Sequence, residues 1–173
     1  NTADVILEDV RVPEDHLLGE LGKGFVYAMQ TLDLARPTVA SMAVGVAQRA
    51  LEEATEYAKQ RVTFGKPIIN HQAIMFKLAD MDMKTEVARS AIKNFYDVYY
   101  SGRKNYSREA AIAKCFAGDI AVEVTLDAIQ ILGGYGYSRE YPVEKLLRDA
   151  KIMQIYEGTN EVQRMVIGGA LMR

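Results

Sequence analysis

From Phe25 to about Arg61, Leu32, Val39, Val44, Ala47, Leu51, Ala54 and Ala58 recur at helical spacing, while Glu52, Glu53, Glu56 and Lys59 fall on other faces. A helix of that extent is about 55 Å long. Pro37 lies inside it, removes one backbone donor and predicts a bend near Asp33. The stretch "VTFGKPIIN", with Gly65 and Pro67, interrupts the pattern. A second helix is expected over about His71 to Tyr100, where Ile74, Leu78, Met81, Ala88, Ile92 and Phe95 repeat and Asn70 offers a cap. "SGRKN" turns the chain, and Ser107 opens a third helix with Ile112, Phe116, Ile120, Val124 and Ile131 on one side. The glycines of "LGGYGY" close it. Pro142 suits the first turn of a fourth helix, "YPVEKLLRDAKIMQI". After "YEG", Thr159 or Asn160 caps a last helix reaching Arg173. The whole predicts an all-α chain, an antiparallel bundle of four long helices with a short last one.

One segment does not fit a bundle. "DVILEDVRVPED" is β-branched, alternates Val10 and Val12 with charge, and stops at Pro13, which reads as one short strand over Val5 to Val12. A single strand cannot pair with itself, so its partners are expected in sequence outside this chain. The chain has 173 residues, enough for one domain with a core and few for two. It opens without a Met or an apolar leader, which reads as a processed chain or an excised piece with no signal peptide.

Composition narrows the function classes. A net charge of −2 gives no electrostatic reason for a nucleic-acid or anionic-membrane partner, and no apolar run approaches a spanning helix. The lone Cys115 excludes an internal disulfide, fits a reducing compartment, and reads as a small buried residue. His16 and His71 have no Cys or carboxylate at ligand spacing, so no metal site is expected.

Four stretches carry candidate chemistry. In "QIYEGTNEVQR", Glu157 is either a solvated loop charge or a base aimed by a chain bend. Gly158 permits close approach of a ligand, and the helix start after it presents free N–H groups and a positive dipole end. "LGGYGY" is either a helix stop or a backbone surface for a flat or phosphorylated ligand; it lacks the dinucleotide spacing. Arg61, in "RVTFGKPIINHQ", either caps the first helix or clamps a pyrophosphate. Asp33 and Arg36, in "LDLARP", form either a local ion pair or the lining of a pocket at the bend.

Together "EDVRVP", "LDLARP", "RVTFGKPIINHQ", "AIAKCFAGD", "IQILGGYGY" and "YPVEKLLRDAKIMQIYEGTNEVQR" resemble the C-terminal half of the acyl-CoA dehydrogenase family, near its medium- and short-chain branch. The resemblance implies residues 1–22 as the end of a middle β-domain with its linker, and 23–173 as the C-terminal four-helix bundle. It implies oxidation of acyl-CoA at the α–β bond to trans-2-enoyl-CoA, as in fatty acid β-oxidation, with FAD as acceptor and Glu157 as the base removing the α-proton. The family polarises the thioester oxygen with a flavin hydroxyl and the base's own N–H.

By the same resemblance Arg61, Thr63 and Phe64 reach the FAD of a neighbouring subunit, with His71 and Gln72 near it. Gln130, Ile131, Leu132, Gly133 and Gly134 meet its pyrophosphate side. Thr159, Asn160 and Glu161 meet FAD in the same subunit, although Glu161 stands where some relatives carry a neutral amide. Asp33, Arg36, Tyr156 and Gly158 line the substrate, and Lys104 replaces an Arg that some relatives place near the CoA. A base in the Tyr–Glu–Gly loop favours the straight-chain type. Electron-transfer flavoprotein is the implied electron acceptor and a homotetramer, a dimer of dimers, the implied assembly. The location is the cytoplasm in a bacterium or the mitochondrial matrix in a eukaryote. The fragment alone is expected to be silent. A non-catalytic helical assembly module and an enoyl-CoA reductase running the reverse reaction are the alternatives.

Overall fold

The computed structural model describes residues 3–172, so the expectations touching Asn1, Thr2 and Arg173 lie outside the described residues. The chain divides into two compact units, Asn1–Thr31 and Leu32–Arg173. Five helices form among the described residues: α1 (Gly24–Gln60), α2 (Gln72–Tyr100), α3 (Ser107–Leu132), α4 (Val143–Ile152) and α5 (Asn160–Leu171). No helix among the described residues is long and apolar enough to cross a membrane.

In the first unit, residues 3–13 carry no strand, and a single 3₁₀ turn follows at Glu14–His16. The strand expected over Val5 to Val12 is therefore not formed. A strand exists only through a backbone partner, and no described residue offers one. Its apolar side chains Val5, Ile6, Leu7, Val10 and Val12 are exposed. The start of α1 is fastened locally: Glu20 N–H donates to the Tyr27 hydroxyl at 3.1 Å.

The second unit is built on small residues. Ala40, Ala43, Ala47, Ala50, Ala54 and Ala58 of α1 are all fully buried, at spacings of three and four. They share one core with Leu78, Met81, Ala88 and Ile92 of α2 and with Ala117, Ile120, Val124 and Ala128 of α3. Alanine stripes let helix backbones approach closely, so specificity of packing falls to the few large residues among them. Phe95, 1% exposed, is one, closed over by Tyr99 and Tyr106 at ring separations of 6.0 and 5.9 Å. The α3 helix packs against α2, α4 and α5. Where those neighbours pack decides which faces of α3 are covered, and one expectation fails there. Phe116, expected on the inner stripe, is exposed, while Ala113, Ala117 and Ala121 are buried.

The connections carry further corrections. Between α1 and α2, strands β1 (Val62–Thr63) and β2 (Lys66–Pro67) form an antiparallel hairpin pairing Val62 with Pro67 and Thr63 with Lys66. Phe64 and Gly65 at its tip both have positive φ, as a tight two-residue hairpin turn demands. The residue capping α2 is His71, with no side-chain cap bond, and not Asn70, which sits in a 3₁₀ turn. The expected long fourth helix is only ten residues. After Ile152 the bonding tightens from i→i+4 to i→i+3: Met153 to Ala150, Gln154 to Lys151 and Ile155 to Ile152. Three long helices and two short ones result, with a sharp bend before α5.

Candidate active site

The bend over residues 153–159 carries two successive residues at positive φ. Glu157 has φ +57° and Gly158 has φ +87°. For a non-glycine residue that conformation costs on the order of 1–3 kcal/mol and persists only where the surroundings impose it. The surroundings here are polar and buried. Gln163 of α5 donates through Nε2 to the Glu157 carbonyl at 3.2 Å and to the Gly158 carbonyl at 2.9 Å. Lys114 of α3, 0% exposed, donates to the Gly158 carbonyl at 2.8 Å and to Asn160 Oδ1 at 2.9 Å. Asn160 N–H closes the loop on the Gln154 carbonyl at 2.9 Å.

Glu157 itself is half-buried, and no described residue accepts from the N–H groups of Glu157, Gly158 or Thr159. The base candidate thus sits on strained backbone with three successive free donors. The ring of Tyr156 lines an adjoining apolar cleft of about 510 Å³ with Met42, Val46, Leu146, Ile152 and Met153. Its hydroxyl donates to Met153 Sδ at 3.1 Å, and burial, with the Glu157 charge second, raises its proton affinity.

Beneath the bend, Asp119 receives Asn160 Nδ2 and Gln154 Nε2, each at 2.8 Å, and pairs with Arg164. Burial pushes its carboxyl up, but the bonds from Asn160, Arg164 and Gln154 outweigh it and hold the carboxyl below the ordinary aspartate value. A lowered folded pKa contributes stability that is complete above the ordinary value of about 3.9 and is lost as pH falls through the folded one. Asp119→Asn is therefore expected to lower Tm at pH 6 and to flatten its decline below about pH 4. An acid limb as steep as that of the unsubstituted protein would contradict this.

A second cleft, of about 600 Å³, brings Arg61 and Thr63 together with Ile68, Ile131, Leu132, Gly133, Gly134 and Tyr135. The loop after α1 and the glycine turn after α3, 70 residues apart in sequence, face the same space. Phe64 and His71 adjoin it: Thr63 Oγ1 lies 3.1 Å from His71 Nε2, and the Phe64 and His71 rings meet edge-on at 6.1 Å. Phe64 is 97% exposed. Gln72 and Gln130 are exposed and line neither cleft.

The remaining candidates separate from these groups. Arg36 is 7% exposed, paired with Asp33, which also accepts from Ser107 Oγ. The pair is a local ion pair turned inward and lines neither cleft. Asn160 is buried, with its amide engaged by Lys114, Asp119 and the Cys115 carbonyl, its N–H by the Gln154 carbonyl and its own carbonyl by Arg164. Thr159 caps α5 by accepting from Val162 N–H at 3.3 Å. Glu161 is held below the usual carboxylate range by its own N–H and then by the Thr159 hydroxyl. Cys115 is buried, and burial raises its thiol pKa. Lys114 escaped the sequence reading; a lone cation inside the apolar run "AIAKCFAG" was its only signal.

The profile described as acyl-CoA dehydrogenase, C-terminal domain, matches residues 22–172. The chain belongs to the acyl-CoA dehydrogenase family. Among family members, the short-chain-specific acyl-CoA dehydrogenase of Megasphaera elsdenii is 55% identical over 99% of this chain and 45% of its own length. The solved butyryl-CoA dehydrogenase of the same organism superposes with a TM-score of 0.94 at 56% identity, over 97% of this chain and 44% of that one. A subunit of the caffeyl-CoA reductase–Etf complex of Acetobacterium woodii is 49% identical over 99% of this chain and 45% of its own length. The chain thus spans less than half the length of these relatives. Members of the family are flavoproteins, and solved ones include a complex with FAD.

Proposed function

We propose that this chain is the C-terminal part of an FAD-dependent acyl-CoA dehydrogenase that converts a straight-chain acyl-CoA to its trans-2-enoyl-CoA, with Glu157 as the base. The observation that carries it is the strained bend, which lifts a half-buried carboxylate and its own free N–H out of any helix face. The α C–H of a thioester is a poor acid unless charge developing on the carbonyl oxygen is stabilised. The Glu157 N–H supplies a donor for that oxygen, and the carboxylate accepts the α-proton. Tyr156 and the apolar cleft beside it keep water from the base once an acyl chain lies there.

The residues present fit FAD. Arg61 at the second cleft suits a pyrophosphate, Thr63 adds a hydroxyl, and Gly133 and Gly134 leave open space where a Cβ would stand. These residues, with Phe64, His71 and Gln72 beside them, would hold the FAD of a neighbouring subunit; when bound, the flavin supplies a two-electron acceptor for the β-hydrogen. An aromatic ring wholly exposed on a strained hairpin tip is unfavourable in a lone subunit and suits a residue that reaches into another. At the start of α5, Thr159 already accepts from Val162 N–H and the Gln154 carbonyl from Asn160 N–H, so a ligand contact there falls to the free N–H groups of the bend.

The proposal extends to a homotetramer that passes electrons to electron-transfer flavoprotein, in the cytoplasm of a bacterium or the matrix of a mitochondrion. Residues 1–22 belong, on this reading, to the end of a middle β-domain, which would give the unpaired segment its partners. Anaerobic addition of butyryl-CoA or octanoyl-CoA to the full-length protein is expected to bleach its flavin absorbance. The isolated 173-residue chain is expected to do nothing, because half the cofactor site is elsewhere. A full-length protein that binds FAD yet is not bleached by any straight-chain acyl-CoA would refute the proposal. The A. woodii relative's name favours a second reading, an enoyl-CoA reductase using the same residues in reverse. Reoxidation of the reduced flavin by an enoyl-CoA, with no bleaching by the saturated ester, would select it.

A further inference from the structure

Two buried side chains grip the bend from below, and the proposed chemistry uses neither. Gln163 and Lys114 are both 0% exposed, and between them they donate to the two carbonyls that follow the base, those of Glu157 and Gly158. In a trans peptide the C=O and the next N–H point in opposite directions. With both carbonyls drawn inward, the N–H groups of Gly158 and Thr159 are turned away from the interior, toward the side that a ligand can reach. On the preceding side, Tyr156 N–H is anchored on the Ile152 carbonyl at 3.1 Å. That anchor lies one peptide before the pair that flanks Glu157, so Glu157 is held directly through the plane that follows it, the one carrying its own carbonyl.

The chemistry of the two clamps is costly for a purely structural part. Gln163 Oε1 is buried with no partner among the described residues, so its amide is oriented for its donors at the expense of its acceptor. Lys114 sits among neutral acceptors, a carbonyl and an amide oxygen, with no carboxylate among the described residues bonded directly to it. Burial pushes its ammonium pKa down. A helix junction of ordinary function is held as well by apolar packing, which avoids the penalty of a buried charge.

We infer that Lys114 and Gln163 are positioning residues: by holding the Glu157 and Gly158 carbonyls they stabilise the left-handed bend from which the Glu157 carboxylate is aimed. The inference rests on Glu157 being the base, and the experiment keeps the two apart. Lys114→Met and Gln163→Leu remove the donors while keeping side-chain bulk; Glu157→Gln is the control, all in the full-length FAD-loaded protein. Each clamp variant is expected to lower the maximal rate of flavin reduction by butyryl-CoA at least about 10-fold, since small misplacements of reacting groups carry such losses. The half-saturating concentration should stay within about 2-fold, the signature of an interaction needed only in the transition state.

Wild-type maximal rates in both variants, or a change confined to half-saturation or Tm, would overturn the inference while leaving the base standing. A wild-type rate in Glu157→Gln would instead remove the base, and the clamp's purpose with it. Should the variants fail to fold or to retain FAD, a crystal structure of the unsubstituted holoenzyme decides. Lys114 Nζ and Gln163 Nε2 are expected within hydrogen-bond reach of the two carbonyls, with Glu157 at positive φ. A bend held by neither would sink the inference.

Discussion

Glu157→Gln in the full-length protein is expected to cut the rate of flavin reduction by an acyl-CoA about 10²–10⁴-fold, the range general-base catalysis contributes. The amide is isosteric and retains the backbone N–H, so binding of the thioester should persist with little change. The loss then falls on the maximal rate and not on half-saturation, marking a group that acts in the transition state. Glu157→Asp sharpens the argument. It keeps the carboxylate but withdraws it by one methylene, and a displacement of about 1 Å is worth on the order of 10²-fold. An aspartate variant intermediate between wild type and the glutamine variant is therefore expected. A glutamine variant reducing flavin at the wild-type rate would refute the base assignment and favour a helical assembly module without catalysis.

Much of the fold was legible because its signal is local. The three long helices were bounded to within about a residue, since apolar spacing, glycine and proline are properties of neighbouring positions. What escaped depends on partners remote in sequence. Phe116 satisfies the helical stripe but faces outward, because the faces of α3 that are covered are set by where α2, α4 and α5 pack. The α4 helix ends at Ile152 because its last bonds tighten, which no residue type in "KIMQI" announces. Val5 to Val12 has the composition of a strand and no partner, and composition alone makes no ladder.

The site divides in the same way. Arg61 and the glycine turn share a cleft, which spacing alone left open. Arg36 pairs with Asp33, its Nε buried without a partner among the described residues, and the Asn160 amide is engaged by Lys114 and Asp119; sequence spacing alone decides neither arrangement. The grip of Lys114 on Gly158 spans 44 positions and two helices. A lysine inside an alanine-rich run hints at burial, but nothing nearby in sequence says what it holds.

The glycine turn after α3 allows a test that separates a glycine required by packing from one required by a ligand. A Cβ on Gly136 would stand 2.5 Å from the Ile129 carbonyl oxygen and 2.9 Å from its Cα. Both are backbone atoms of α3, which cannot yield without unwinding the helix end. Gly136→Ala is therefore expected to cost about 2–3 kcal/mol, the upper part of the overpacking range, and to lower Tm by about 5 °C or more. A Cβ on Gly134 meets nothing within 4 Å, and its φ is not in the left-handed region. Gly134→Ala should leave Tm unchanged, since alanine is at least as well tolerated as glycine in such backbone. Gly134 nevertheless lines the cleft with Arg61, and a methyl group there would hold a flat ligand off the backbone. Weakening of FAD binding by about 10-fold or more, equivalent to about 1.4 kcal/mol, is expected from Gly134→Ala at wild-type Tm. FAD titrations indistinguishable from wild type would remove the cleft from the cofactor site, because nothing else in the fold requires that position to be bare.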